Sequence, residues 1–232
     1  MTYSIVAKCK ETGFFGAAVT SCFPGIGAYS PTIKANIGII VSQGWVNPSL
    51  GPIGMSYLET GKTANETLNT LLMKDPGREL RQLIVMDHFG NSAVYTGVEN
   101  DDVKGHIIGD QFTVQGNILT SIDVLYAVAE TFKTAKGPLQ ERLLAAMCAG
   151  DSIGGDSRGK QSAAIKVVAE EGFPYVDFRV DDAAEPIQDL QFIYEKNKHV
   201  LIDRYYEWVD SVKSGIKLQD HDQVIKKKEE TK

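Results

Sequence analysis

Helical segments that come in unbroken pairs, with groups of strands between them, constrain this chain more than any single motif. Residues 55–60 and the stretch that opens at Thr63 read as one pair, and residues 121–134 and 138–149 as the other. In the second pair Val124, Leu125, Val128 and Phe132 recur at helical spacing, as do Leu139, Leu143, Leu144 and Met147, which marks one apolar face on each helix. Thr63-Ala64-Asn65-Glu66 is a capping box, in which hydroxyl and carboxylate satisfy free helix-end amides reciprocally. Asp75-Pro76-Gly77 stops that helix. Single helices alternating with strands would argue for a doubly wound parallel sheet. Pairs between strand groups argue instead for two stacked, mainly antiparallel sheets with helices outside.

The strands follow from period-2 alternation. Thr2, Ser4 and Val6 alternate with Tyr3, Ile5 and Ala7, as a half-buried strand requires. Glu11-Thr12-Gly13 turns the chain into a second strand over residues 14–22, and Pro24-Gly25-Ile26-Gly27 breaks it. Further strands are expected at 37–42, ending at Gln43-Gly44, at 81–86 and 92–96 across the turn His88-Phe89-Gly90-Asn91, and at 112–115, ending at Gly116-Asn117. Residues 163–168 and 175–180 read as a last strand pair, and one long helix over 186–212 closes the fold. The expectation is one domain over residues 1–213 with a polar tail over 214–232.

Composition narrows the partners. A net charge of −6 on 232 residues argues against a nucleic-acid surface. The basic run Lys226-Lys227-Lys228 is followed by Glu229-Glu230 and reads as a solvated tail. No apolar stretch approaches the roughly 18 residues of a membrane span, and the start lacks the basic and apolar regions of a signal peptide. Cys9, Cys22 and Cys148 are widely spaced and odd in number, which suits a reducing cytoplasm. His88, His106, His199 and His221 share no ligand spacing, so neither a metal nor another cofactor is expected.

The candidate chemistry begins at Thr2. Removal of Met1 would place a free α-amine beside the Thr2 hydroxyl, a pairing in which a nucleophile is activated by its own amine. An α-amine has a reference pKa near 8, so roughly a quarter is neutral at cytoplasmic pH. Gly154-Gly155-Asp156-Ser157-Arg158-Gly159-Lys160-Gln161 looks like a phosphate loop but has Gln161 where magnesium needs a hydroxyl. It also lies before a strand rather than a helix, so it is read as a polar bend in which Asp156 and Arg158 pair or hold a ligand. Ser21 and Ser49 lie in no Gly-x-Ser-x-Gly elbow. Asp177, Asp181 and Asp182 surround Arg179 as an ion-pair network, and Gln115 and Asn117 bring two carboxamides to a strand end.

Several dispersed strings resemble a known family. They are Thr2-Tyr3-Ser4-Ile5-Val6-Ala7, Asn47-Pro48 with Gly51-Pro52, and Asp75-Pro76-Gly77-Arg78-Glu79 with Arg81-Gln82-Leu83. Val114-Gln115-Gly116-Asn117, the bend from Gly154 to Gly159 with Gln161-Ser162-Ala163-Ala164, and Val176-Asp177 with Arg179-Val180-Asp181-Asp182 complete the set. Over about residues 2–210 they resemble the microbial domain-of-unknown-function family DUF1028, classed with the N-terminal-nucleophile (Ntn) hydrolases. The resemblance implies an α+β fold, a four-layer αββα sandwich of two mainly antiparallel sheets. It also implies that Thr2 is the nucleophile, with Gln115, Asn117, Asp156, Arg158, Gln161, Asp177 and Asp181 around it. Ser21, Gln43, Gly44 and Asn47 join these as substrate-binding or oxyanion candidates. Proteasome-like members use a lysine near the nucleophile to depress its pKa; Lys34 lies at a plausible distance in sequence, and no motif ties it to that role. The functional expectation is an amidohydrolase for a small-molecule amide. The alternative is a non-catalytic ligand-binding or scaffold protein on the same sandwich. The aromatic last helix leaves room for a homo-oligomer.

Overall fold

The computed structural model describes residues 2–218; Met1 and most of the expected polar tail lie outside the described residues. The first hairpin is as expected, β1 (Thr2–Lys8) against β2 (Phe15–Ser21), with Thr2 opposite Ser21. These two strands are central in a six-stranded sheet of order β10 (Val176–Val180), β9 (Ser162–Val168), β2, β1, β8 (Phe112–Asn117), β7 (Gly105–Gly109). The second sheet has four strands, β3 (Pro31–Lys34), β4 (Gly38–Gly44), β5 (Arg81–Met86) and β6 (Ser92–Thr96). Every pairing between these strands is antiparallel.

The two sheets stack face to face and the helix pairs cover the outside, a four-layer αββα sandwich. Between the sheets, Val6, Phe15, Ala17 and Val168 meet Ile39, Val41, Ile84 and Met86. On the outer face of the four-stranded sheet, Ile40, Leu83 and Val85 bury against Leu58 of α2 (Leu50–Glu59) and Leu68 and Leu71 of α3 (Ala64–Lys74). The capping box forms, Glu66 N–H donating to Thr63 Oγ1 and Thr63 N–H to Glu66 Oε2. On the outer face of the other sheet lie α4 (Asp123–Thr134) and α5 (Leu139–Ser152), in mutual contact and against β1, β2, β7 and β8. Tyr3 points to that side, its hydroxyl donating to Met147 O at 2.9 Å.

Five elements depart from the sequence reading. The helix expected at 55–60 starts at Leu50, because Gly51 and Gly54 serve close packing on Thr32 and Ile40 rather than chain breaking. The strands β3 and β7 are short edge strands, one opened by proline and the other bounded by glycines, so neither carries a readable alternation. Pro24-Gly25-Ile26-Gly27 does end β2, but it then forms a four-residue helix α1 (Ile26–Tyr29). The long closing helix is divided into α6 (Pro186–Asn197), a wide π turn over Lys198–Ile202 and α7 (Tyr205–Ser214). Asn197 Nδ2 donates back to Ile193 O at 2.7 Å, a local bond of the kind that competes with the helical ladder. Both sheets belong to a compact unit that ends at Gln191, and a second unit begins at Phe192.

The short helix α1 packs closely on β9, because a Cβ on Gly27 would come within 2.3 Å of Ala164 Cβ. A methyl group on a strand cannot rotate away, so the backbone of one element must move. Gly27→Ala is therefore expected to lower stability by about 1–3 kcal/mol despite alanine's better helix propensity. Thermal unfolding checks it; an unchanged or higher midpoint would contradict the packing argument.

Candidate active site

Thr2 stands where β1 begins, between Ser21 at the end of β2 and Asn117 at the end of β8. The alternation that turns Tyr3 towards α5 turns Thr2 and Ser4 towards the second sheet. The Thr2 Oγ1 lies 3.0 Å from Ser21 Oγ. Ser4 Oγ donates to Gln43 Oε1 at 2.7 Å, and Gln43 Nε2 donates to Thr2 O at 3.2 Å and to Gln82 Oε1 at 2.8 Å. The same Gln82 oxygen accepts from Asn117 Nδ2 at 2.9 Å, and Gln82 Nε2 donates to Gly116 O at 2.8 Å. At this end the sandwich interior is thus a network of buried carboxamides. The aliphatic packing lies towards the other end of β1.

Thr2, Ser21, Gln43 and Gly44 line a cleft of about 360 Å³. Its walls are Phe23 and Ile26, which follow β2, and Trp45 and Val46, which follow β4. Cys22 and Arg158 complete the lining, Arg158 being the one charged side chain among the described lining residues. Gly44 has φ +80°, and a Cβ there would meet Asn100 Oδ1 at 2.2 Å, so the turn into Trp45 requires glycine. The same turn is held from behind: Arg81 Nη1 donates to Trp45 O, while Arg81 Nε pairs with Asp75 Oδ2 at 2.9 Å in a nearly buried ion pair.

The glycine-rich bend is tied to the end of β2 by Asp156. Its Oδ2 accepts from Cys22 N–H at 3.0 Å and its Oδ1 from Arg158 N–H at 2.8 Å, with Arg158 Nε 3.6 Å from Oδ1. Burial pushes the Asp156 carboxyl up to about 6, against the opposing pull of those two amides. Burial, with the charge of Asp156, also raises the Cys22 thiol. Lys160, which the phosphate-loop pattern would aim at a nucleotide, is paired with Asp151 at 2.8 Å and Glu185 at 2.5 Å.

The structure brings together Thr2, Ser21, Gln43, Gly44 and Arg158, with Asp156 behind them. Other candidates stand elsewhere. Asn117 spends an N–H on Gln82, and Gln115 is fully buried opposite Ser4, with its carboxamide unpartnered among the described residues. Asn47 Oδ1 accepts from Ser49 N–H ahead of α2, and Gln161 Nε2 reaches Asp182. Asp177 pairs with Lys166 at 3.2 Å across β10 and β9, and Arg179 lies 3.8 Å from Asp181. Lys34 pairs with Glu59 at 2.5 Å on the surface and does not line the cleft. Trp45, Phe23, Ile26, Val46 and Gln82 were not legible as site residues. The one available signal was a glutamine inside the apolar run Arg81-Gln82-Leu83-Ile84-Val85-Met86. Among the described residues no three His, Cys, Asp or Glu side chains gather as a metal site, and no helix is long and apolar enough to cross a membrane.

Two stability measurements test this description. Gln82→Leu leaves the N–H groups of Gln43 and Asn117 without their acceptor, and each orphaned group costs about 1–3 kcal/mol; denaturant unfolding should show that loss. For Asp156 the folded pKa of about 6 lies above its ordinary 3.8, so between those values the folded chain holds a proton that the unfolded chain lacks. Stability from this group therefore falls as pH rises from about 4 to 6 and stays at its lower level above. Thermal midpoints across that range should rise on acidification relative to those of Asp156→Asn; parallel profiles would refute it.

A crystal structure of a Silicibacter pomeroyi protein of family DUF1028 is similar to this chain at a TM-score of 0.82 and 32% identity, covering 88% of this chain and 89% of that one. Anbu, the ancestral beta-subunit of Yersinia bercovieri, aligns over 93% of this chain and 98% of that one at 10% identity and a TM-score of 0.40, too low to carry an argument. No curated protein matches. The family model of DUF1028, a family of unknown function, covers residues 2–190, and the chain belongs to that family.

Proposed function

We propose that this protein is an N-terminal-nucleophile amidohydrolase, acting on a small amide through Thr2 once Met1 has been removed. The observation that carries the reading is the position of the Thr2 hydroxyl, at the first residue of a central strand and in the lining of the cleft. Its neighbour there is another hydroxyl, Ser21, and the charged lining side chain is an arginine, which cannot act as a base. The base within reach of Oγ1 is then the nitrogen of the same residue. As a free amine it has a reference pKa near 8 and needs little tuning to accept a proton near neutral pH.

In this mechanism the amine takes the Oγ1 proton as Oγ1 bonds to the substrate's carbonyl carbon. The amine then returns that proton to the leaving nitrogen as the C–N bond breaks, leaving an ester on Thr2. Water attacks the ester with the same amine as base, and Oγ1 leaves with a proton. Charge on the carbonyl oxygen needs a donor. Gly44 backs that role with its place in the lining, whereas the Asn117 carboxamide is turned to Gln82. The carbonyl of Thr2 is held by Gln43, which orients the residue that has to do the work.

Mass spectrometry of protein purified from its own host should find Thr2 at the amino terminus. Among panels of small amides, Thr2→Ala should lose turnover by about 10³-fold or more, while Thr2→Ser keeps part of it. Met1 retained throughout the population, or turnover unchanged in Thr2→Ala, would remove the mechanism and leave a ligand-binding protein on the same fold.

A further inference from the structure

We infer that Trp45 sets the substrate class of the Thr2 cleft, an amide that carries a flat, apolar ring beside the reacting bond. The hydrolytic part of this claim rests on the proposed function above; the binding part does not. Phe23 and Ile26 follow β2 of one sheet, and Trp45 and Val46 follow β4 of the other, so each sheet gives the cleft an apolar wall with one aromatic ring. The two rings stand differently. Phe23 is 45% exposed and meets Tyr29 edge to face, with 6.0 Å between centroids. Trp45 is 74% exposed, and among the described residues no ring contact or side-chain hydrogen bond engages its indole. Burial that slight contributes little to folding. The indole is instead open apolar surface in the lining of a concave site, and such surface marks ligand binding.

The backbone that carries the indole is fixed although the ring is open. Trp45 N–H donates to Leu80 O at 3.0 Å, and Trp45 O accepts from Arg81 Nη1. Gly44, at φ +80°, sets the turn before it. On the other wall, Ser162 Oγ donates to Phe23 O at 2.6 Å and accepts from Ile26 N–H at 3.1 Å. Walls held in advance lower the ordering cost of binding. An indole offers a flat face on which a second ring stacks, and that geometry adds to the gain from buried area alone. The cleft volume, about 360 Å³, is at the small end of the range for small-molecule pockets, roughly 300–1,000 Å³, which suits one ring with its amide rather than a longer chain. A small polar amide would leave both aromatic walls in water and gain nothing from them.

The test uses the full chain carrying Thr2→Ala, so that binding is read without turnover, and three probes: phenylacetamide, acetamide and glutaramide, the last a longer amide without a ring. Calorimetry should find phenylacetamide bound about tenfold or more tightly than either of the others. Trp45→Ala in that background should erase most of this preference and Trp45→Phe should keep part of it, with thermal melts reporting whether each variant is folded. The chain has two tryptophans, so in Trp208→Phe the indole emission reports Trp45 alone, and phenylacetamide should change it saturably. Should Trp45→Ala not fold, the probe comparison and that emission decide. Equal or tighter binding of acetamide or glutaramide, a preference unchanged in Trp45→Ala, an emission unmoved at saturation, or no saturable binding of any probe at millimolar concentration overturns the inference. Turnover by the Met1-free parent separates the two claims. A ring preference in binding without hydrolysis keeps this ligand class and removes the amidohydrolase. Hydrolysis of acetamide and phenylacetamide at equal kcat/KM does the reverse.

Discussion

The carboxamide of Gln82 is the bond point on which the geometry around Thr2 depends. It lies in β5, within a strand that is otherwise aliphatic after Arg81. Its oxygen accepts from Gln43 and Asn117, and its nitrogen reaches across to Gly116 O. Through Gln43 it connects to the carbonyl of Thr2 and the hydroxyl of Ser4. Two β-sheets that met through aliphatic side chains alone could slide by a fraction of a residue at little cost. Directional bonds between carboxamides do not allow that. Net stabilisation from such bonds is modest, about 1 kcal/mol each, but breaking one end in a buried place is costly. The apolar end of the interior therefore supplies much of the cohesion, and the polar end supplies the register that sets Thr2 in the cleft.

Strand ends give the cleft its floor at Thr2, Ser21, Gln43 and Gly44, the segments that follow them give its walls, and two ion-dipole arrangements set those segments. At one side Asp75 fixes Arg81, and Arg81 takes the Trp45 carbonyl. At the other, Asp156 takes the N–H of Cys22 and of Arg158. Asp75 and Arg81 belong to a string that suggested the family, yet neither lines the cleft. Their part is to hold a wall. Gln115, another residue of such a string, is buried opposite Ser4 with both ends of its carboxamide unpartnered among the described residues. That is a cost carried inside the fold, and it sits next to the carboxamide network rather than in the aliphatic core.

What could be read from the sequence was whatever depends on local order. The β1–β2 hairpin and the α3 capping box both follow from residues within a short span, and the periodic faces of α4 and α5 required only counting. The pairing of helices between strand groups was enough to imply the layers. Elements whose signal is tertiary escaped. The glycines of α1 and α2 look like breakers in sequence, because their purpose is contact with Ala164, Thr32 and Ile40 far along the chain or in another element. The cleft walls were likewise hidden: Trp45 and Phe23 stand on turns, where period carries no information. Of the residues singled out as site candidates, Thr2, Ser21, Gln43, Gly44 and Arg158 line one cleft, whereas Asn47, Gln161, Asp177, Arg179 and Asp181 have local partners of their own.

Asp156 shows why the site is held by a charge in a place that penalises charge. Two backbone N–H groups, one on each strand-end turn, face one side chain, and a carboxylate can accept both, one on each oxygen. A carboxamide has a single accepting oxygen and would turn an NH2 towards one of those donors. A hydroxyl has a single accepting oxygen as well, and an alkyl group has none. Burial raises the pKa of the acid to about 6, so the chain forfeits stability at neutral pH to keep the bend at Arg158 joined to the end of β2. That expense is tolerable because the aliphatic packing from Val6 to Met86 lies along the same pair of sheets. A buried anion that joins two cleft-forming turns while facing the guanidinium of Arg158 is better explained by the shape it imposes on the cleft than by any gain in stability.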